Sequence, residues 1–183
     1  MKVYIVPIPL VFYAGEIFWP FTTQNDSKRF CKKIRNRSNA GFHINLALNS
    51  ISSCKDEVII VVDDRFTIGS QPTGEQLKLF KGLPVPQEIV QHRILYESDF
   101  EPRFFCNLKG CSGIWGSLVE MLIEEGFDQI EAWIPQSCMA NVAHATGLMQ
   151  FPEIILHLTK HNENKIIRTY TYKYGTYVHP ESS

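Results

Sequence analysis

Residues 104–125 read FFCNLKGCSGIWGSLVEMLIEE, and this stretch decides the fold. An apolar strand at 103–107 leads through a glycine-containing turn into residues 114–125, whose apolar positions recur with the 3.6-residue period of an amphipathic helix. The stripe consists of Ile114, Trp115, Leu118, Val119, Met121 and Leu122. We expect this helix to cover a sheet. Residues 110–117 would then aim unpaired N–H groups and the positive end of the helix dipole at one point, which is an arrangement that binds phosphates.

Downstream of this helix the pattern predicts a strand at 129–134, a helix at 138–146 and strands at 153–159 and 165–174. Only His161-Asn162-Glu163-Asn164 separates the last two strands, so they are predicted to form an antiparallel hairpin. Tyr residues alternate with Thr and Lys along 169–174, which predicts one aromatic face. The hairpin argues against an open α/β nucleotide-binding domain, because that class has a parallel sheet.

Upstream, residues 3–12 are rich in β-formers, with a short helical turn expected after Ala14. Residues 57–62 are an apolar strand, and the turn residues Asp63-Asp64 predict a hairpin. A turn-rich segment with a short helix at 75–80 follows, and then a strand at 89–96. Paired acids after a strand can also hold a metal in nucleotide hydrolases, but the chain has no phosphate-binding G-x-x-x-x-G-K-[ST] motif.

Length and composition indicate one globular domain spanning 1–183. The chain is 44% hydrophobic and 20% charged, and it has no apolar run near the ~20 residues that span a bilayer. No export signal is evident, because Pro7 and Pro9 interrupt the apolar N-terminus. Five cysteines without metal-ligand pairing indicate reduced thiols, so we expect a cytoplasmic protein without a metal.

The net charge of −1 hides one basic segment at 28–37. Its cations are Lys28, Arg29, Lys32, Lys33, Arg35 and Arg37. An N-cap cluster at 25–27 predicts that the segment is a surface helix. It could be a docking face for an acidic or nucleic-acid partner. It could also be a solvated helix face, which the absence of interleaved aromatic residues to stack bases favours.

In their order, these elements resemble the GNAT-type N-acyltransferases, most firmly over 57–174. The resemblance implies an α+β fold with a mixed, largely antiparallel central sheet flanked by helices, and acetyl-coenzyme A as cosubstrate. The family's signature, Arg/Gln-x-x-Gly-x-Gly/Ala, corresponds to residues 109–117, where the glycines instead fall at 110, 113 and 116. The N-terminal Pro9-Leu10-Val11 and Trp19-Pro20 resemble small phage-encoded GNAT-like proteins, some of which lack an intact signature.

The resemblance also implies site residues. The coenzyme-binding positions are Phe105, Cys106, Lys109, Gly110, Cys111, Ser112, Gly113, Gly116, Ser117 and Asn141. Glu97 and Glu101 are candidates to deprotonate the acceptor amine, although they could be surface carboxylates. His144 lies near the place of the family's usual tyrosine and could protonate the departing thiolate, or it could be a packed histidine.

Two functions follow as hypotheses. The first is an N-acyltransferase that moves an acetyl or acyl group from acetyl-coenzyme A to an unidentified amine acceptor. The second is a non-catalytic GNAT-like protein that serves in binding or assembly, of phage origin.

Overall fold

An eight-stranded mixed β-sheet forms the centre of the protein in a computed structural model. The structure describes residues 1–13, 16–18, 57–69, 72–85, 89–100, 114–135, 148, 151–162, 165–174 and 176–179. The strands are β1 (Lys2–Tyr13), β2 (Glu16–Phe18), β3 (Glu57–Gly69), β4 (Arg93–Tyr96), β5 (Gln129–Pro135), β6 (Ile154–Asn162), β7 (Lys165–Lys173) and β8 (Thr176–Val178). The helices within these ranges are α1 (Gly74–Lys81) and α2 (Ile114–Glu124), with a 3₁₀ turn, η1, at Glu97–Asp99.

The strand order is β4-β3-β1-β5-β6-β7-β8, and β2 pairs antiparallel with the end of β1. The first five strands in this order run parallel to one another, whereas β7 and β8 are antiparallel. From β1 the chain moves outward to β3 and β4, and it then returns to β5 on the other side of β1. The boundary between β1 and β5 is therefore a topological switch point, the place where the strand order reverses.

The sheet is mixed and the class is α+β, as expected, but the prediction of a largely antiparallel centre is wrong. Four of the seven described strand pairings are parallel, and they include every pairing among the five central strands. The predicted hairpin of β6 and β7 is confirmed. It did not exclude a parallel centre, because an antiparallel edge commonly continues an otherwise parallel sheet.

The hairpin predicted at Asp63-Asp64 is also wrong. β3 continues to Gly69 beside β1, and the register shifts so that Pro9 is opposite Asp63 while Leu10 is opposite Thr67. The extra residues 64–66 form an irregularity of the kind that bulges produce, which absorbs turn-forming residues without reversing the strand. Two smaller differences are that β2 replaces the helical turn expected after Ala14, and that β4 begins only at Arg93.

One hydrophobic core lies on each face of the sheet. On one face Trp115 and Leu118 of α2 pack against Val3 and Ile5 of β1. On the other face Phe80 of α1 packs with alternate residues of β1 and β3. The predicted stripe of α2 is confirmed at four positions, Trp115, Leu118, Val119 and Leu122, which are all buried.

Helix α1 begins with a capping box. The Thr73 hydroxyl accepts from the Gln76 backbone N–H at 3.2 Å, and the Gln76 side chain accepts from the Thr73 N–H at 2.8 Å. Such a cap satisfies two of the amide donors that a helix start leaves unpaired. The short helix expected at 75–80 is therefore present.

Several predicted features lie outside the described residues. They are the basic segment 28–37, the strand at 103–107, the glycine turn at 110–113 and the helix at 138–146. Among the helices in the described ranges, none has both the length and the apolar character needed to cross a membrane.

Candidate functional site

The parallel strands β1 and β5 separate at the switch point. They pair only from Lys2 with Gln129 to Ile5 with Ala132, although β1 continues to Tyr13 and β5 to Pro135. Beyond Ala132, β5 keeps its pairing with β6. Pro7 and Pro9 lie in the part of β1 that no longer pairs with β5, where a residue without an N–H donor is best tolerated. In open parallel sheets, ligands bind at the switch point, outside the carboxyl ends of the strands.

Beside the point of separation, three strands contribute one hydrogen-bonded chain of side chains. His157 of β6 is opposite Trp133 of β5 and Thr171 of β7. Its Nε2 lies 2.6 Å from Glu131 Oε1, and its Nδ1 lies 3.0 Å from Thr171 Oγ1. Glu131 is two residues before Trp133, so the two-residue period of a strand places both on the same face.

The carboxylate of Glu131 is held by two donors. Glu131 as a whole residue is 8% exposed. Besides its contact with His157, it forms an ion pair with the Lys2 ammonium, which also lies 4.7 Å from the centroid of the Tyr4 ring. Burial alone would raise the pKa of Glu131, but the hydrogen bonds from His157 and Lys2 outweigh it, so the pKa is lowered. The same contact with Glu131, supported by Tyr4, raises the pKa of Lys2.

The charge of Glu131 determines how the imidazole is oriented. An ionised carboxylate can only accept hydrogen bonds, so Nε2 of His157 carries the proton that is donated to Glu131. In the neutral ring Nδ1 is then an acceptor, and the Thr171 hydroxyl donates a hydrogen bond to it. Trp133 stacks on the imidazole, with ring centroids 4.5 Å apart. A hydroxyl, an imidazole and a carboxylate joined in this order are the parts of a general-base mechanism.

A second polar cluster joins Asp64 of β3 to Ser98 of η1 and Lys81 of α1. Asp64, 5% exposed, accepts from the backbone N–H of Ser98 at 2.9 Å and from the Ser98 hydroxyl. The Lys81 ammonium lies 3.2 Å from Asp64 Oδ2 and 4.6 Å from the centroid of the Tyr96 ring. Burial, and then the charges of Asp64 and Asp99, raise the pKa of Tyr96. Both oxygens of Asp64 have partners, so this cluster, called the clasp below, holds α1 and η1 against β3.

Of the site residues predicted from the sequence, the structure describes three. Glu97 lies in η1 and is 3% exposed, so it is not a surface carboxylate. Gly116 and Ser117 lie in the first turn of α2, where the helix start was expected. The others lie outside the described residues and stay predictions: Glu101, Phe105, Cys106, Lys109, Gly110, Cys111, Ser112, Gly113, Asn141 and His144.

The hydrogen-bonded chain of Glu131, His157 and Thr171 was not predicted from the sequence. A signal was present, because Glu131 and His157 each lie between two apolar residues of a predicted strand. Their meeting depends on the register of β5 with β6 and of β6 with β7, which the pattern of a single strand does not contain.

We expect the contribution of Glu131 to stability to disappear in acid. Its folded pKa is lowered, so the contribution is complete above the unfolded value of about 4.3 and is lost as pH falls through the folded value. Lys2 has the opposite sign: its folded pKa is raised, so its contribution is complete below about 10.4 and is lost only in stronger base. Urea unfolding at a series of pH values measures both effects.

In that series the wild-type protein should lose its advantage over Glu131→Gln as the solution is acidified. The exposed carboxylate Glu153 supplies the control, Glu153→Gln. A stability difference between wild type and Glu131→Gln that stays constant down to the lowest pH would contradict the lowered pKa.

Asp64→Asn should destabilise the fold by ~1–3 kcal/mol, because it replaces the buried carboxylate that accepts from Ser98 and pairs with Lys81 by a neutral amide. Asp99→Asn is the matched control, since Asp99 is 61% exposed and lies 3.6 Å from the same ammonium. Exposed pairs of this kind contribute ~0–1 kcal/mol. Equal urea midpoints for the two variants would show that Asp64 is not the anchor of the clasp.

In the part of the chain that the structure describes, no group of three or more His, Cys, Asp or Glu side chains could hold a metal ion. Comparison with known proteins found no match for the chain among family models, curated proteins or solved structures.

Proposed function

We propose that this protein is an N-acyltransferase that moves an acetyl or acyl group from acetyl-coenzyme A to an amine, with His157 as its general base. The observation that carries the proposal is the hydrogen-bonded chain of Glu131, His157 and Thr171 beside the separation of β1 and β5. These side chains lie on a face of the sheet, where Glu131 is opposite Tyr4 just before the pairing of β1 with β5 ends, and they place a proton acceptor next to the switch point.

Acyl transfer to an amine requires a group that accepts and releases a proton. A protonated amine cannot attack a thioester, and the departing thiolate needs a proton, so one base that accepts and then returns a proton serves both steps. Imidazole is suited to this work near neutral pH. Glu131 supports it by holding the ring in one tautomer and by stabilising the imidazolium that forms.

The separation of the strands supports the ligand class. Past Ala132, β5 has β6 as its described neighbour on one side, while β1 has diverged on the other. GNAT-type enzymes, which the sequence order resembles, hold the thioester between two splayed parallel strands. We place the acyl carrier at the separation of β1 and β5, whereas the coenzyme-binding positions implied by the resemblance are at 105–117 and 141.

A second candidate is a non-catalytic binding or assembly protein. The observation in its favour is that the hydrogen-bonded side chains are little exposed: Glu131 is 10% and His157 14% exposed. A satisfied and nearly closed polar network can serve only to specify the core.

Ligand-induced stabilisation separates the two candidates. An acyltransferase should melt at a higher temperature with acetyl-coenzyme A, because a ligand at 100 times its Kd adds ~2.7 kcal/mol to the free energy of unfolding. ATP is the control for general nucleotide binding. With a panel of amines, release of free coenzyme A thiol should then follow. An unchanged melting midpoint at millimolar acetyl-coenzyme A, with no thiol release, would contradict the enzyme proposal and favour the binding protein.

A further inference from the structure

Thr171 differs from Thr169, the other threonine of β7, because its hydroxyl contacts a histidine. Its Oγ1 is 3.0 Å from Nδ1 of His157, and the residue is half-buried rather than enclosed. Thr169, two residues earlier on the same strand face, is exposed and lies opposite Thr159. The hydroxyl of Thr171 therefore has a proton acceptor in hydrogen-bonding position, which is the arrangement that activates a weak oxygen nucleophile.

We propose that Thr171 is a covalent nucleophile whose Oγ1 takes an acyl group from an activated ester or thioester. The inference rests on the proposed function for its reaction class, but it requires neither coenzyme A nor an amine. It concerns the hydroxyl group itself and predicts an acyl-enzyme intermediate.

The step balances with the groups present. Oγ1 of Thr171 attacks the carbonyl carbon while its proton passes to Nδ1 of His157, and a new C–O bond forms. The C–S or C–O bond to the leaving group then breaks, and His157 returns the proton to the departing sulfur or oxygen. An amine or water attacks the resulting threonine ester in the same way, which releases the acyl product and restores the hydroxyl.

The surroundings of His157 support this role. During attack the imidazole becomes a cation, and the Glu131 carboxylate at 2.6 Å offsets that charge. The Trp133 indole stacks on the ring, with ring centroids 4.5 Å apart.

Acetylation by p-nitrophenyl acetate tests the inference with the full chain. We expect a burst of p-nitrophenolate and one acetyl group on Thr171, located by peptide mass spectrometry. Hydroxylamine should remove this group, because it cleaves an ester and spares acetylated lysine. Thr171→Val should abolish the label, whereas the matched variant Thr169→Val should keep it. Thr171→Ser retains a hydroxyl and should restore labelling, which excludes a folding defect as the cause of the loss.

The labelling and thiol-release results distinguish failure of the covalent intermediate from failure of the proposed acyltransferase function. Labelling of Thr171 by the ester but not by acetyl-coenzyme A would uphold the nucleophile and reject coenzyme A as donor. Thiol release from acetyl-coenzyme A that is unchanged in Thr171→Val would uphold the acyltransferase and overturn the covalent intermediate. A label confined to lysines, or equal labelling of Thr171→Val and wild type, would also overturn it.

Discussion

Replacing His157 by Gln should lower the rate of acyl transfer ~10²–10⁴-fold, because general acid–base catalysis contributes an effect of that size. Glutamine can still hydrogen-bond to Glu131 and Thr171, but it cannot take up a proton at neutral pH. The rate is measured as p-nitrophenolate release from p-nitrophenyl acetate and as thiol release from acetyl-coenzyme A. Circular dichroism and the melting midpoint establish that the variant is folded.

Two further histidines give this experiment its controls. His179 is exposed at the end of the described chain, so His179→Gln should leave both rates near wild type. His144, the residue singled out in the sequence, is tested by His144→Phe. If that variant loses activity while His157→Gln keeps it, the proton-transfer role belongs to His144 and our assignment is wrong.

The Glu131→Gln variant tests whether Glu131 orients the His157 imidazole, while the imidazole that transfers the proton stays in place. A glutamine amide can donate to Nε2 of His157 and thereby favour the tautomer with the proton on Nδ1. That tautomer cannot accept the proton of Thr171, so activity should fall although the imidazole is intact. Full activity in this variant would show that the carboxylate does not direct the ring.

Trp115→Ala should reduce the free energy of unfolding by ~3–5 kcal/mol, which is the usual cost of removing a large aromatic side chain from a core. Trp115 of α2 is 1% exposed and belongs to the core between this helix and the sheet. The loss is a large fraction of the stability of an ordinary domain. Urea unfolding measures it as a lower midpoint at an unchanged slope.

Ile123→Ala on the same helix is the matched control. Ile123 is 46% exposed, so its removal creates no internal cavity and should change the midpoint little. Similar losses for the two variants would mean that α2 is not docked by the face that contains Trp115.

The parts of the fold that were predicted correctly from the sequence are those that depend on local patterns of apolar residues and short turns. The buried stripe of α2 follows from a 3.6-residue pattern within one segment, and the β6–β7 hairpin follows from two strands joined by a very short turn. In both cases the deciding residues are close together in the chain. Neighbouring residues are constrained by backbone geometry alone, so their arrangement can be inferred before the rest of the fold is known.

Strand order and the candidate site depended on contacts between distant residues. β1 lies between β3 and β5, and its residues pair with residues more than 50 and more than 120 positions later in the sequence. The sequence of an apolar strand does not indicate which strands it pairs with, or whether they run parallel or antiparallel to it. The sequence by itself determined the helix face, the terminal hairpin and the strand segments of the core. Only the tertiary structure decided that the central strands run parallel and that Glu131, His157 and Thr171 meet, because pairing register places side chains from separate strands together.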